Sequence, residues 1–359
     1  MNILLVYPKY PDTFWSFKHI LGFFSRKAAF PPLGLLTVAS MLPSEWNKRL
    51  VDINVRGLTD EDLAWADVVF VSAMIVQMES AQKVISQAKA QGKKVVVGGP
   101  VFTTHPDAFE GIDHFVLNES EVTLPLFLED FKRGEAKYKY TSSERPDITK
   151  TPVPMWSLID FKNYVTMSLQ YSRGCPFNCE FCDIVVMNGR IPRTKTADQF
   201  INEIRSLYDA GWRGSLFIVD DNFIGNKRIL KEEILPRLID WQKKHKYPFA
   251  LLTEASTNLA DDQELMSMMS AANFNKVFVG IESPNPDSLE ECGKIQNSSR
   301  DLVGAVRAIQ RHGMQVMGGF IVGFDSDTES VFDSQIKFIQ KTGVVTAMVG
   351  LLNAIPGTS

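Results

Sequence analysis

The stretch Tyr171-Ser172-Arg173-Gly174-Cys175-Pro176-Phe177-Asn178-Cys179-Glu180-Phe181-Cys182 carries the most information in this sequence. It places Cys175, Cys179 and Cys182 in a CxxxCxxC array, with Phe181 directly before the last thiol. Three clustered thiolates can bind three irons of a 4Fe–4S cluster. The fourth iron then has no protein ligand and is open to a substrate or cofactor. The remaining cysteine, Cys292, lies far along the chain.

Three other readings of the array stay open. A structural zinc site usually takes four nitrogen or sulfur ligands at paired spacings. Disulfides are disfavoured by four cysteines in 359 residues and by an N-terminus without the basic flank of an export signal. Buried core thiols are disfavoured because Pro176 and Asn178 indicate a loop. The spacing favours the cluster.

Composition limits the class of protein. The chain of 359 residues is long enough for two domains. Its 45% hydrophobic and 22% charged residues are typical of a globular protein. A net charge of −4 gives no nucleic-acid-binding footprint, and no apolar run reaches membrane-spanning length. We therefore predict a cytoplasmic protein that binds neither nucleic acid nor a membrane core.

Residues 1–133 alternate short apolar runs with helical patterns, which predicts a doubly wound α/β domain with a parallel sheet. The expected strands cover residues 3–6, 49–55, 68–71, 94–97 and 114–117. Ligands of such sheets bind beyond the carboxyl ends of the strands. The candidate contacts there are Ser72, Ala73, Met74, Gly98, Gly99, Pro100, Asn118 and Glu119. Two adjacent glycines allow a large ligand to approach the backbone, although by themselves they also suit a simple turn.

Aromatic residues are concentrated after the first predicted strand. They could line an apolar substrate channel, but aromatic residues near a strand end are more often ordinary packing. We interpret them as packing residues: Phe14, Trp15, Phe17, Phe23, Phe24 and Phe30.

The second half predicts a different architecture. Residues 134–165 are polar and proline-containing and read as a linker. From residue 166 to 359 a strand–helix unit recurs six times, which predicts an open, partial (β/α)6 barrel. The expected strands cover residues 168–172, 215–220, 249–254, 276–282, 315–322 and 346–352. Active-site groups should lie at their carboxyl ends, where carboxylates, amides and glycines concentrate.

The cysteine array resembles the signature of the radical S-adenosylmethionine (SAM) enzymes, and the domain before it resembles their cobalamin-binding domain. Within the cobalamin-dependent radical SAM enzymes, the chain is most similar to the group containing the hopanoid C-2 methylases. The shared stretches are Phe14-Trp15-Ser16-Phe17, Ala29-Phe30-Pro31-Pro32-Leu33-Gly34, Val219-Asp220-Asp221-Asn222-Phe223-Ile224-Gly225-Asn226 and Gly318-Gly319-Phe320-Ile321-Val322-Gly323-Phe324-Asp325.

The resemblance implies a reaction and its cofactors. A reduced 4Fe–4S cluster cleaves SAM to a 5′-deoxyadenosyl radical, and methylcobalamin then supplies a methyl group to an unactivated carbon. The partners would be a small, apolar substrate and an electron donor of the flavodoxin or ferredoxin type. Relatives also carry out radical rearrangement or oxidative cyclisation without methyl transfer. A cobalamin or redox sensor without turnover is a further alternative.

The resemblance also implies roles for residues at the barrel's strand ends. Glu282 would contact SAM, or else cap the helix that follows it. Asp220 and Glu254 would serve the ribose or the amine, and the backbone of Phe181 would lie near adenine. Beside adenine, the resemblance places Gly319, Ile321 and Gly323.

Two departures from family patterns matter. The chain contains no Asp-x-His-x-x-Gly motif, so we expect cobalamin to bind without a histidine on cobalt. Relatives continue beyond the sixth strand, whereas this chain stops at Ser359. We expect either a truncated chain or an absent lid.

Overall fold

Branched apolar residues build the first sheet. In a computed structural model, residues 1–13, 16, 18–354 and 357–358 are described. The chain divides into two units, one of Met1–Met167 with Asp209–Trp212, the other of Ser168–Tyr208 with Arg213–Ser359. The strands of the first unit are β1 (Asn2–Tyr7), β2 (Asn47–Asp52), β3 (Val68–Ser72), β4 (Lys94–Gly98), β5 (His114–Val116) and β6 (Lys139–Tyr140).

These strands form a parallel sheet in the order β2-β1-β3-β4-β5-β6. Successive side chains of β1 enter opposite cores: Leu4 packs with one set of helices, and Leu5 with another. Both faces are therefore covered, as the near-continuous apolar runs predict. The helices are α1 (Lys18–Leu21), α2 (Leu33–Met41), α3 (Asp60–Trp65), α4 (Met78–Ala90), α5 (Pro100–Thr104) and α6 (Ser120–Arg133).

Residues 134–165, expected to be a linker, are part of the first unit. Their residues Lys139–Tyr140 form the edge strand β6 beside β5. Tyr140, Ile148, Trp156 and Tyr164 are buried. The polar composition concealed this role because only widely spaced aromatic and aliphatic residues anchor the segment.

The aromatic residues after β1 differ from the packing interpretation. Phe14, Trp15 and Phe17 lie outside the described residues. Phe23 is 88% exposed and Phe24 is 61% exposed, while Phe30 is 41% exposed. The packing interpretation is wrong for Phe23 and Phe24, because the short turn Gly22–Phe24 that carries them buries none of its side chains.

The second unit is the predicted partial barrel. Its main sheet has the order β14-β13-β12-β11-β10-β7. Strands of this sheet that follow one another along the chain are therefore also neighbours in space. The strands are β7 (Thr166–Leu169), β10 (Gly214–Ile218), β11 (Phe249–Ala255), β12 (Phe274–Glu282), β13 (Gln315–Val322) and β14 (Thr346–Leu351). A small antiparallel ribbon, β8 (Ser172–Arg173) with β9 (Arg193–Thr194), follows β7.

Helices alternate with these strands in the chain. Within the sheet, burial alternates along β11, where Leu251 and Thr253 are buried and Leu252 and Glu254 are partly exposed. One face of the sheet is thus covered, and the other is partly open, as expected for an incomplete barrel. The helices are α7 (Ile184–Asn188), α8 (Ala197–Asp209), α9 (Lys227–Ile229), α10 (Leu235–Lys244), α11 (Gln263–Ala271), α12 (Pro286–Glu291), α13 (Ile295–Ser298), α14 (Leu302–Arg311) and α15 (Ser330–Thr342).

Among the described residues, no helix combines the length and apolar character needed to cross a lipid bilayer.

Candidate active site

The three cysteines lie in the loop between β8 and α7. Gly174 opens this loop with a φ of +99°, in the left-handed region that favours glycine. A Cβ atom at Gly174 would come within 2.9 Å of the Gly189 carbonyl oxygen. The backbone N–H of Cys175 donates to that same oxygen at 3.2 Å. A larger residue at 174 would therefore push the loop away from its anchor.

The cysteine thiols are unpaired and partly exposed. Burial raises the pKa of Cys175 and raises that of Cys182 to about 11, with the charge of Cys179 adding to both. Thiolates this costly to form without a counter-charge become ligands once metal cations supply it. The three thiols therefore suit a group that carries several positive metal ions.

The arrangement fits a cluster of several irons. In the part of the chain that the structure describes, no three His, Cys, Asp or Glu side chains gather tightly enough to share a single metal ion. A cubane does not require such a gathering, because each of its thiolates binds a different iron.

Two side-chain amides point at the thiols. The Asn222 Nδ2 atom lies 3.8 Å from Cys175 Sγ, and Gln296 Nε2 lies 3.7 Å from Cys179 Sγ. Hydrogen bonds to ligating sulfurs tune iron–sulfur clusters. Sequence reasoning found Asn222 only as a polar strand end and missed Gln296, for which no sequence pattern gave a signal.

Asp220 is fully buried and forms hydrogen bonds with the segment that precedes the cysteine loop. Its Oδ1 accepts the backbone N–H of Tyr171 at 2.7 Å. Its Oδ2 accepts both the N–H and the hydroxyl of Ser172, at 2.7 and 2.6 Å. Burial raises the pKa of Asp220 to about 7. The carboxylate thus ties the end of β10 to the β7–β8 connection, and both its oxygens are engaged there.

Glu254 lies on the partly open face of the barrel sheet. Its register partner on β12 is Phe278, whose own partner on β13 is Met317. Burial, together with the charges of Asp221 and Asp220, raises the pKa of Glu254 to about 7. It is therefore a carboxyl group on a largely apolar face, available for a polar group of a ligand.

Glu282 is buried at the end of β12 and forms an ion pair with Lys294. Its φ of +64° is unusual for glutamate and coincides with an irregularity in the β12–β13 register. A Cβ atom at Gly280 would lie 2.4 Å from Glu282 Oε1. The ion pair therefore occupies the space that any side chain at position 280 would need. Asn285, not Glu282, caps α12 by accepting the Asp287 N–H.

Lys294 connects Glu282 to the cysteine loop. Its ammonium lies 5.7 Å from the centre of the Phe181 ring. Burial acts to lower the pKa of Lys294, but Glu282 and Cys179 together raise it above the usual value. Sequence reasoning missed this lysine, because nothing in its local pattern distinguishes it from a surface lysine.

The remaining predicted SAM contacts lie on β13 and after it. Gly319 is buried, and a Cβ atom there would come within 2.8 Å of the Phe278 ring. Ile321 is partly exposed. Gly323 has a φ of +106°, and its N–H donates to Asp327 Oδ2 at 2.9 Å. Phe181 packs edge-on against Phe324, the residue that follows Gly323.

The carboxyl edge of the first sheet carries the predicted cobalamin contacts. Gly99 has a φ of +91°, and a Cβ atom there would come within 2.3 Å of Ser72 Oγ. Gly98 is equally restricted, since its Cβ atom would lie 2.7 Å from the Val116 carbonyl oxygen. Pro100 starts α5 and is exposed, whereas Ala73 is buried. Met74 is 46% exposed. Only glycine therefore fits at these two adjacent positions, because neighbouring atoms of the protein occupy the space of a Cβ atom.

Asn118 and Glu119 are used differently. Asn118 Oδ1 accepts the hydroxyl of Thr141 at 2.6 Å. Glu119 is buried and lies 3.9 Å from Arg145. The end of β5 therefore holds residues 141–145 of its own chain.

Comparison with known families agrees with this geometry. The Radical SAM superfamily matches residues 169–339, and the B12 binding domain matches residues 22–128. The chain is 48% identical to an uncharacterized methyltransferase of Synechocystis sp., over all of this chain and 67% of that protein. It is 37% identical to the hopanoid C-2 methylase of Rhodopseudomonas palustris, over 99% of this chain and 68% of that enzyme.

Among solved structures, the fold is similar to that of the radical SAM methyltransferase TsrM from Kitasatospora setae with cobalamin and a [4Fe-4S] cluster bound. The TM-score is 0.77 at 16% identity, over 99% of this chain and 76% of TsrM. The chain therefore belongs to the cobalamin-dependent radical SAM enzymes, the group that contains the hopanoid C-2 methylases, and works with a 4Fe–4S cluster, SAM and cobalamin.

Proposed function

We propose that this enzyme transfers a methyl group from SAM, through cobalamin, to an unactivated carbon of an apolar small molecule. One observation carries the proposal: a single chain combines a loop of three unpaired thiols with a doubly wound domain that has two adjacent glycines, Gly98 and Gly99, at the carboxyl edge of its sheet. When bound, the cluster, SAM and cobalamin supply the radical and methyl-transfer chemistry. The protein binds and orients these groups and excludes water.

The second unit's own residues divide this work. Cys175, Cys179 and Cys182 hold the cluster. Asp220 fixes the strand that leads into their loop through three hydrogen bonds. Glu254 and Glu282 are the carboxylates that would meet the polar groups of SAM.

An apolar acceptor suits the open face of the barrel sheet. Partly exposed apolar side chains from five strands lie along this face, beside Glu254. They are Phe217, Leu252, Phe278, Met317 and Met348. The hopanoid C-2 methylase acts on a hopanoid, an apolar molecule, and a hopanoid is accordingly the first substrate to test.

Two further assignments accompany this function. A flavodoxin- or ferredoxin-type protein would supply the electron that the cluster needs. A reducing compartment, the cytoplasm, suits four cysteines that are all unpaired.

The test is anaerobic incubation of the reconstituted enzyme with SAM carrying a labelled methyl group, a reductant and a hopanoid. Labelled hopanoid together with 5′-deoxyadenosine is the expected result, and the Cys179→Ala variant should give neither. Production of 5′-deoxyadenosine and an altered but unlabelled substrate would instead indicate radical rearrangement or cyclisation. Cobalamin binding without either product from any substrate would indicate a sensor.

A further inference from the structure

The order of strands in the first sheet singles out one ligand position. Because β1 has β2 on one side and β3 on the other, the connections leaving β1 and β2 run in opposite directions along the sheet. In open parallel sheets, ligands bind at this switch point, in the crevice beyond the carboxyl ends of the strands. Here those ends are Tyr7 on β1 and Ser72 on β3.

The two loops that leave these strands are joined by side-chain contacts. Gln77 Nε2 donates to the Pro8 carbonyl oxygen at 2.5 Å. The Tyr10 hydroxyl lies 2.6 Å from the Tyr7 hydroxyl and 3.5 Å from Met74 Sδ. The two tyrosine rings also meet edge-on, with their centres 5.9 Å apart. Tyr10 is therefore held across the crevice between the two loops.

The crevice has an unusual apolar rim. Met74, Ile75 and Val76 are consecutive and are 46%, 50% and 54% exposed. Three adjacent apolar side chains half exposed at the ligand-binding edge indicate a surface that a ligand covers. Cobalamin, with its broad and largely apolar ring, suits this rim and the glycine edge at Gly98–Gly99.

Two histidines of this unit, His105 and His114, have partners of their own. His114 Nδ1 contacts the Lys137 carbonyl oxygen at 2.7 Å, and its ring packs against Phe127. His105 Nδ1 contacts the Thr104 hydroxyl at 2.8 Å. Tyr10, in contrast, places its hydroxyl between the two loops at the switch point.

We propose that Tyr10, held by Tyr7 and Met74, is the side chain that faces cobalt from the side of the sheet, in the place where a histidine would otherwise bind. This inference rests on the proposed use of cobalamin. A phenol is neutral at pH 7 and offers only an oxygen. It donates less electron density than an imidazole, and the identity of an axial ligand sets the redox potential of a metal cofactor. Tyr10 would therefore favour reduction of the metal. It lies before the residues 22–128 that match the B12 binding domain.

The test uses the full chain loaded with cobalamin, with the bound cobalt(II) form recorded by EPR and visible absorption. We expect the wild-type spectrum to lack nitrogen splitting. Tyr10→His should gain nitrogen splitting, and Tyr10→Phe should change the cobalt spectrum while retaining stoichiometric cobalamin. Tyr138→Phe, at a tyrosine that is 61% exposed, is the matched control and should resemble the wild type.

Spectra of both Tyr10 variants that match the wild type would overturn the inference. Loss of cobalamin from a folded Tyr10→Phe variant would also count against it, since the remaining ring should preserve the apolar contact. Failure of the wild-type chain to bind cobalamin would instead reject the proposed function, so the two failures are distinguishable.

Discussion

The carboxylate of Glu282 and the ammonium of Lys294 form a buried ion pair over Gly280. The lysine also reaches the ring of Phe181, one residue before the last cysteine of the loop. This pair therefore links the end of β12 to the cysteine loop. It accounts for the absence of a side chain at position 280, and the glutamate of the pair itself has a positive φ of +64°.

The first prediction concerns Glu282→Gln. It removes the counter-charge of a buried lysine, so it should cost roughly 3–5 kcal/mol of unfolding free energy. If Glu282 also contacts SAM, affinity for SAM should fall by about ten- to a hundredfold. Denaturant unfolding and equilibrium binding on the same sample measure both effects.

The matched control for that change is Glu203→Gln. Glu203, on α8, forms a second buried ion pair with Lys195, at 2.5 Å. It should lose stability to a similar extent and keep its SAM affinity. Equal SAM affinity in both variants would leave Glu282 with a structural role alone.

The second prediction concerns the cysteines. Replacing Cys175, Cys179 or Cys182 by alanine should abolish 4Fe–4S assembly and SAM cleavage. Cys292→Ala should retain the cluster, because its thiol is buried and points to the Leu289 carbonyl oxygen at 3.6 Å. Iron and sulfide analysis after anaerobic reconstitution measures this. Full iron loading in Cys179→Ala would refute the assignment, as would iron loss in Cys292→Ala.

The third prediction concerns the amide of Gln296. Gln296→Met keeps the length of the side chain and removes the donor to Cys179 Sγ. The reduced cluster carries more negative charge and gains more from the donor, so the midpoint potential should become more negative. A differential loss of about 1.4 kcal/mol would correspond to about 59 mV for one electron.

Potentiometric titration followed by EPR checks this shift. Ser298→Ala is the control, because Ser298 lies on the same short helix and its hydroxyl contacts only the Ile295 carbonyl oxygen in the described structure. An unchanged potential in a fully loaded Gln296→Met variant would contradict the prediction.

The fourth prediction concerns pH. Burial raises the pKa of Glu254 from 4.5 to about 7, so between these values the folded state holds a proton that the unfolded state has released. Stability should therefore fall as pH rises from about 4.5 to about 7, by at most about 1.4 kcal/mol per pH unit. Above pH 7 this contribution should be constant.

Glu254→Gln should reduce that slope in the cofactor-free protein, while Asp220, also raised to about 7, maintains the remainder. Urea unfolding at several pH values between 5 and 8 measures it. The control is Glu232→Gln, at an exposed glutamate paired with Arg228. A slope that is the same in all three proteins would show that Glu254 ionises normally.

Most of the fold was predictable because strand and helix signals are local. Branched apolar runs such as those of β1 and β4 are buried on both faces of the sheet, and the sequence predicts this without knowledge of the elements that pack against them. The edge strand Lys139–Tyr140 was not predicted. Its two residues carry no periodicity, and its place depends on the backbone edge that β5 presents.

By itself, the sequence determined the two-part α/β architecture, the three-cysteine loop and, through resemblance, the family and its cofactors. These depend on spacing and period, which are properties of the chain alone. Only the tertiary structure decided the partners of buried polar groups. It paired Glu282 with Lys294, bound Asp220 to the Tyr171–Ser172 backbone, and turned Gln296 toward Cys179. Each of these contacts joins residues from different elements, and a buried charge or amide takes whichever partner the packing brings within hydrogen-bonding distance.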